Sequence, residues 1–238
     1  MAISADDHRP SDVVTGVSQN RPWMLAIDTA TEQAGVALFD GFRVVEMSWP
    51  GGRRHTTTVL PVVESLLAIA GVDMDRVGGV AVATGPGSFT GLRVGMSLAK
   101  GLVITGDCVL VGIPTLDVAA SLYRAVGMNC IALAPAGRSR VVWSSYSAGG
   151  DPTPPVNTTF DEFLEVLPRH PDHVVAGELT PSQREAVLRI HTNLSSPAMS
   201  TRRPSLLAEL GYRRWVEGNV DEPTALEPLY LHGQPNPR

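Results

Sequence analysis

Apolar residues cluster in short dense runs up to about residue 50 and in helix-spaced stripes beyond it. Trp23 to Asp28, Gln33 to Phe39 and Arg43 to Ser48 read as strands, and Asp40-Gly41 between the last two signals a tight hairpin. The chain thus opens as an antiparallel meander. From Thr56 to Ala70, Val59, Val63, Leu66 and Ala70 recur at helical spacing with Leu60 and Leu67 beside them, and Gly71 ends the run. Pro61 fits such a helix only in its first turn, because proline has no N–H to give to the preceding turn. Val77 to Ala83 is a buried strand, Gly85 to Gly91 a glycine-rich loop, Leu92 to Ile104 a helix, Val109 to Ile113 a strand and Thr115 to Val126 a helix. Three antiparallel strands followed by alternating helices and strands predict an α/β fold with helices packed on a mixed sheet.

The pattern is sparser after residue 127. Ile131 to Leu133 and Val141 to Tyr146 read as strands, and Asp151-Pro152-Thr153-Pro154-Pro155 interrupts regular structure. Thr159 and Glu162 form a capping box for a helix ending at Leu167, Val174 to Ala176 is a short strand, and Pro181 to Ile190 and Pro204 to Val216 are helices. The expected division is a flexible leader over 1–21, an amino-terminal lobe over 22–127 and a carboxy-terminal lobe over 128–238.

Composition narrows the function classes. With 238 residues, 43% of them hydrophobic and 18% charged, the chain can bury a large core and is not disordered throughout. A net charge of −5, with eighteen Arg and the single Lys100, argues against nucleic-acid binding by a basic surface of its own. A local patch or a basic partner stays open. Cys108 and Cys130, with no ligand at metal spacing, read as buried free thiols. Leu92 to Ile104 is too short for a membrane span and carries Arg93 and Lys100, and residues 1–20 lack the apolar core of a signal peptide. The expected location is the cytoplasm.

Two segments could carry chemistry. Thr84-Gly85-Pro86-Gly87-Ser88-Phe89-Thr90-Gly91-Leu92-Arg93 lies between a strand and a helix, where helix-start amides favour an anion. It lacks the Gly-Lys-Ser/Thr of a phosphate-binding P-loop, and its G-x-G-x-x-x-G spacing is not the dinucleotide G-x-G-x-x-G. The competing reading is a tight turn that lets helix and strand pack closely. Ala26-Ile27-Asp28-Thr29-Ala30-Thr31 places a carboxylate and two hydroxyls, Thr29 and Thr31, in the turn between two strands. Such a turn suits metal and phosphate, or an Asp that bonds the turn amides. Gly91, Gly95 and Ala99 leave one stripe of the following helix nearly bare of side chain, suited to close packing in the core or against a partner helix.

Together with His55, Leu60-Pro61, Val94-Gly95 and Ala99-Lys100-Gly101-Leu102, these segments resemble the TsaB (YeaZ) family, bacterial proteins of threonylcarbamoyladenosine (t6A) synthesis at position 37 of tRNA. The likeness covers residues 23–126 well, and Pro228-Leu229-Tyr230-Leu231 resembles the family's carboxy-terminal signature. The resemblance implies an actin-like, sugar-kinase-like (ASKHA) fold of two lobes, each with a mixed sheet and helices. It also implies a non-catalytic scaffold that associates with a TsaD-like catalytic subunit and a TsaE-like ATPase, forms a homodimer in isolation, and meets tRNA only through the complex. TsaD carries a metal-binding H-x-x-x-H where this chain has Thr115 and Ala119, a hydroxyl and a methyl that cannot grip a metal as two imidazoles do. No metal or cofactor is expected on the chain alone, and ATP or ADP with Mg is expected only at a site shared with partners.

The implied partner interface is built from the first two helices: Val59, Val63, Leu66, Leu67, Gly91, Gly95, Met96, Ala99 and Val103. Replacing Gly95 by Leu is accordingly expected to abolish association and leave the monomer folded. The chain departs from the family's D-A-R-x-x-x-V-Y stretch, having Pro135-Ala136-Gly137-Arg138-Ser139-Arg140-Val141-Val142 there. The alternative class is a stand-alone actin-like ATPase or kinase using Asp28 for metal and phosphate.

Overall fold

A computed structural model describes residues 21–52, 55–106, 108–137 and 139–230; the leader over 1–20, Leu231 and the Asp107, Arg138, His8 and His232 positions lie outside them. The first sheet has the order β3-β2-β1-β4-β5, from β1 (Trp23–Asp28), β2 (Gln33–Phe39), β3 (Val44–Pro50), β4 (Val77–Gly85) and β5 (Val109–Pro114). β1, β2 and β3 form the antiparallel meander, while β4 and β5 run parallel to β1. The second sheet, β8-β7-β6-β9, holds β6 (Cys130–Pro135), β7 (Arg140–Tyr146), β8 (Val156–Thr159) and β9 (Val174–Gly177). Each is a mixed sheet covered by helices, as expected.

Strand periodicity decides what each face of the first sheet meets. In β1, Trp23, Leu25 and Ile27 join the core cluster formed with α1 (His55–Ala70) and α2 (Phe89–Gly106). Met24 and Ala26 point the other way, into the cluster with α7 (Pro204–Val216). Asp28 has the parity of Met24 and Ala26, which turns its carboxylate toward the α7 side. In the second sheet, Cys130, Ala132 and Ala134 pack on α3 (Thr115–Ala125), and Ile131 and Leu133 pack on Phe163 of α4 (Phe160–Val166) and Val187 of α5 (Pro181–Leu188). Both cysteines are buried, the Cys108 thiol bonds the Val77 carbonyl at 3.2 Å, and desolvation pushes the Cys130 thiol up to about 12.

The structure moves several expected boundaries. The expected carboxy-terminal lobe over 128–238 does not include α7, which packs on β1, β2, β4 and β5 of the first sheet. The segment after α7 follows it. Asp221 N–H donates to Leu110 O at 2.8 Å, and Leu229 N–H to Thr84 O at 2.7 Å. The second lobe therefore ends near α6 (Pro197–Ser200), and the chain then crosses back. Pro61 lies beyond the first turn of α1, and the helix continues through it with the ring exposed. α2 begins three residues earlier than the expected Leu92, because Ser88 caps it: Gly91 N–H donates to Ser88 Oγ at 3.3 Å. Strand β8 and the single-turn helix α6 were not predicted; both are four residues long and offer no periodicity to read. The capping box is present, with Thr159 bonded to Glu162.

Candidate functional site

The β1–β2 turn meets the crossing between lobes. Asp28 Oδ1 accepts the Ala30 N–H at 2.9 Å, the turn-bonding role that an Asp takes between strands. Its other partner is Arg202, which donates from Nε to Asp28 Oδ2 at 2.9 Å and from Nη2 to Oδ1 at 3.3 Å. Arg202 Nη2 also donates to Thr31 Oγ1 at 2.9 Å, and Arg202 Nη1 pairs with Glu178. Thr31 in turn donates to Glu178 at 2.6 Å. The Arg202 and Asp28 side chains are 3% and 4% exposed, so this ion pair is out of water. Burial alone would lower the guanidinium pKa; the Asp28 and Glu178 carboxylates outweigh it and raise it, which keeps Arg202 charged.

The carboxylate that the alternative reading gave to metal and phosphate is thus committed to a cation of the chain itself. A hydrated metal at Asp28 would have to share space and charge with a buried guanidinium, so the residues present do not fit one there. Arg202 and Glu178 were missed in the sequence because nothing in the pattern separates Arg202 from Arg203. Arg203 is solvent-exposed and pairs with Glu46 on β3. The parity of Asp28 was legible; the identity of its partner, 174 positions away, was not.

The glycine-rich loop is the docking seam between α2 and the same turn. Thr29 Oγ1 donates to Gly91 O at 2.7 Å, and Ser88 N–H to Ala30 O at 2.6 Å. A Cβ on Gly87 would strike Ala30 O, one on Gly91 would strike Thr29 O, and one on Gly95 would strike Thr29 Oγ1. Gly85, with φ of +110°, has its N–H bonded to Thr115 Oγ1 at 3.1 Å, and a Cβ there would come 2.8 Å from Leu229 O. Pro86 and Gly87 follow beneath the carboxy-terminal segment, and Phe89 stacks on Tyr230 at 5.0 Å between centroids. Arg93 lies 3.9 Å over the Phe89 ring and bonds Tyr230 OH.

That geometry corrects the expected interface. Val59, Val63, Leu66, Gly91, Gly95, Met96, Ala99 and Val103 are buried in this chain's own core, and the bare stripe of α2 faces β1 and β4. Leu67 alone of the expected set is half-buried. The open face of the two helices is turned away from that stripe. There Leu60, Phe89, Thr90, Val94 and Ser97 border an apolar groove of about 610 Å³, with Leu60 and Phe89 each 46% exposed.

A cleft of about 690 Å³ separates the lobes on the far side of the loop, bordered by Thr31, Ser88, Phe89, Ser139, Glu178 and Gln183. Of the altered 135–142 stretch, Arg140 is held by Asn157, donating to its Oδ1 at 2.8 Å and its O at 2.7 Å. Thr115 is buried and Ala119 packs beside the α3 cluster. Among the described residues no group of three or more His, Cys, Asp or Glu could hold a metal ion, and no helix is long and apolar enough to cross a membrane.

Residues 50–199 match the family described as TsaD, tRNA N6-adenosine threonylcarbamoyltransferase. The TsaB tRNA threonylcarbamoyladenosine biosynthesis protein of Escherichia coli is 35% identical over 125 residues, which are 52% of this chain and 54% of that protein. The chain thus spans about half the length of that relative. The Haemophilus influenzae TsaB is 26% identical over 228 residues, covering 89% of this chain and 94% of its own. A Pseudomonas aeruginosa crystal structure, described as an uncharacterized protein with similarity to peptidase YeaZ, superposes with a TM-score of 0.73 at 25% identity. That superposition covers 88% of this chain and 99% of the other.

Proposed function

The chain belongs to the TsaD family, on its TsaB (YeaZ) side, with the two-lobed actin-like fold, and from that premise we propose that it is a non-catalytic scaffold subunit in t6A synthesis on tRNA. Its partners in this reading are a TsaD-like catalytic subunit and a TsaE-like ATPase. Any nucleotide and Mg are held at a site the partners complete, and tRNA is contacted through the complex. The observation that carries the proposal is Arg202: the carboxylate that a stand-alone ATPase or kinase needs free for metal and phosphate is neutralised from within. This counts against the enzyme reading. The open α1/α2 groove supports the scaffold role, since apolar side chains left in water gain by association.

The test is threonylcarbamoyl transfer to tRNA by the chain alone, by the chain with its cognate TsaD-like subunit, and with the TsaE-like ATPase added. Transfer is expected only when the partners are present. Ser97→Arg and Leu60→Glu alter exposed groove positions and are expected to leave the fold intact while lowering association about tenfold or more, the equivalent of about 1.4 kcal/mol. Transfer, or ATP turnover, by the isolated chain would overturn the proposal.

A further inference from the structure

Arg202 stands where the chain passes from α6 of the second lobe to α7 on the first sheet. Its guanidinium touches oxygens from both lobes. Asp28 ends β1, Thr31 lies in the β1–β2 turn, and the Gln33 carbonyl, at 3.5 Å, starts β2; Glu178 follows β9 of the second sheet. Two carboxylates, a hydroxyl and a carbonyl, oxygens of the type a hard divalent cation takes, are here spread over the three nitrogens of one guanidinium. Their occupant is covalently part of the chain. The disagreement between the donor set and a free metal is informative, because a free ion leaves and returns whereas an arginine side chain stays.

We propose that Arg202 is a resident cation that ties the two lobes at one separation, so that the cleft keeps its shape whether or not nucleotide and Mg are offered. The inference rests on the non-catalytic reading above and extends it: a scaffold presents a constant surface, whereas a lobed enzyme closes on its ligand. The tie acts across the cleft rather than within one lobe. Thr31 strengthens it, since its hydroxyl accepts from Arg202 and donates to Glu178, closing a ring through both lobes.

Double electron–electron resonance on the full chain reads the lobe separation directly. Nitroxides are placed at Phe42→Cys, on the first sheet's hairpin, and Glu185→Cys, on α5; both positions are exposed and the native cysteines are buried. The parent is expected to give one narrow distance peak that does not move when ATP and Mg are added. Arg202→Met is expected to lose that single peak. Because it leaves two carboxylates without their cation, a second variant, Asp28→Asn with Glu178→Gln and Arg202→Met, removes the charges together and is expected to fold with the peak still broadened. A parent peak that shifts with ATP and Mg, or a charge-free variant as narrow as the parent, overturns the tie. Neither outcome touches the transfer assay, and catalysis by the isolated chain would sink the scaffold reading while leaving the tie standing.

Discussion

The interlobe cleft and the α1/α2 groove lie on opposite sides of the start of α2, and Phe89 borders both. They are built on opposite terms. Of the residues bordering the cleft, Thr31 and Glu178 bond to Arg202 and to one another, with Asp28 buried on the same guanidinium, and Arg140 bonds to Asn157. In the groove, Leu60 and Phe89 stand about half exposed. Catalysis requires polar groups free to engage a substrate, and association requires apolar area left to bury. The contrast therefore leaves the buried carboxylates committed within the chain and the apolar area of the groove open to be buried.

The harshest way to break the comparison is to empty the cleft of charge on one side only. Asp28→Ala leaves a buried guanidinium with Glu178 as its remaining carboxylate partner, and loss of one member of a buried ion pair costs about 3–5 kcal/mol. Urea unfolding of the parent and the variant measures this. A loss no greater than about 0.5 kcal/mol, the level of an unremarkable surface change, would mean that water reaches the pair and that the cleft is not closed from within.

Gly95→Leu comes next and separates the buried stripe of α2 from its open face. Its side chain would be driven into Thr29 Oγ1 and Val82, and overpacking of this kind costs about 1–3 kcal/mol. The variant is expected to lose stability, contrary to the sequence-based expectation that it would lose only association. Ser97→Arg, two residues along but on the exposed side, is expected to stay within about 0.5 kcal/mol of the parent. Thermal unfolding of the pair decides it: equal stability for both would return Gly95 to the partner interface.

What the sequence revealed follows from the range of the forces involved. The meander, α3, α7 and the capping box of α4 were legible because periodicity, turn residues and caps act over a few positions. The glycine-rich run was recognisable as a whole, and its spacing suggested both an anion loop and a packing seam; the contacts to Ala30 and Thr29 select the seam. The residues expected at the interface, Leu67 apart, are buried for a related reason. A stripe of small residues shows where a helix can be approached closely but not by what, and Gly91 and Gly95 went against Thr29 of the β1–β2 turn and Val82 of β4. Arg202 lay beyond reach, because an ion pair across 174 positions leaves no local pattern.

The smallest expected effect sharpens the comparison by asking whether the tied lobes unfold as one. His170 and His173 sit on the second lobe with ring centroids 4.8 Å apart, and His170 lies 6.4 Å from Trp143, the one tryptophan of that lobe. Desolvation, with Arg169 and His191 nearby, lowers the His170 pKa; desolvation, with His170 and His191, lowers that of His173 against the opposing pull of Asp172. A folded-state pKa below the ordinary value of about 6.5 means that the unfolded chain takes up protons first as pH falls. The stabilisation is fully present above about 6.5 and is lost as pH drops through the lower folded values. Both rings are partly in solvent, so the decline in the urea midpoint between pH 7 and pH 5 should be shallow, and His170→Asn with His173→Asn should flatten it. With the tie intact, Trp143 and two of the first-lobe tryptophans, Trp23 and Trp215, read in single-tryptophan variants, should report the same midpoint at every pH. Two midpoints that separate as pH falls would show that acid loosens the second lobe alone, and that the Asp28–Arg202–Glu178 contact does not make one cooperative unit of the two sheets.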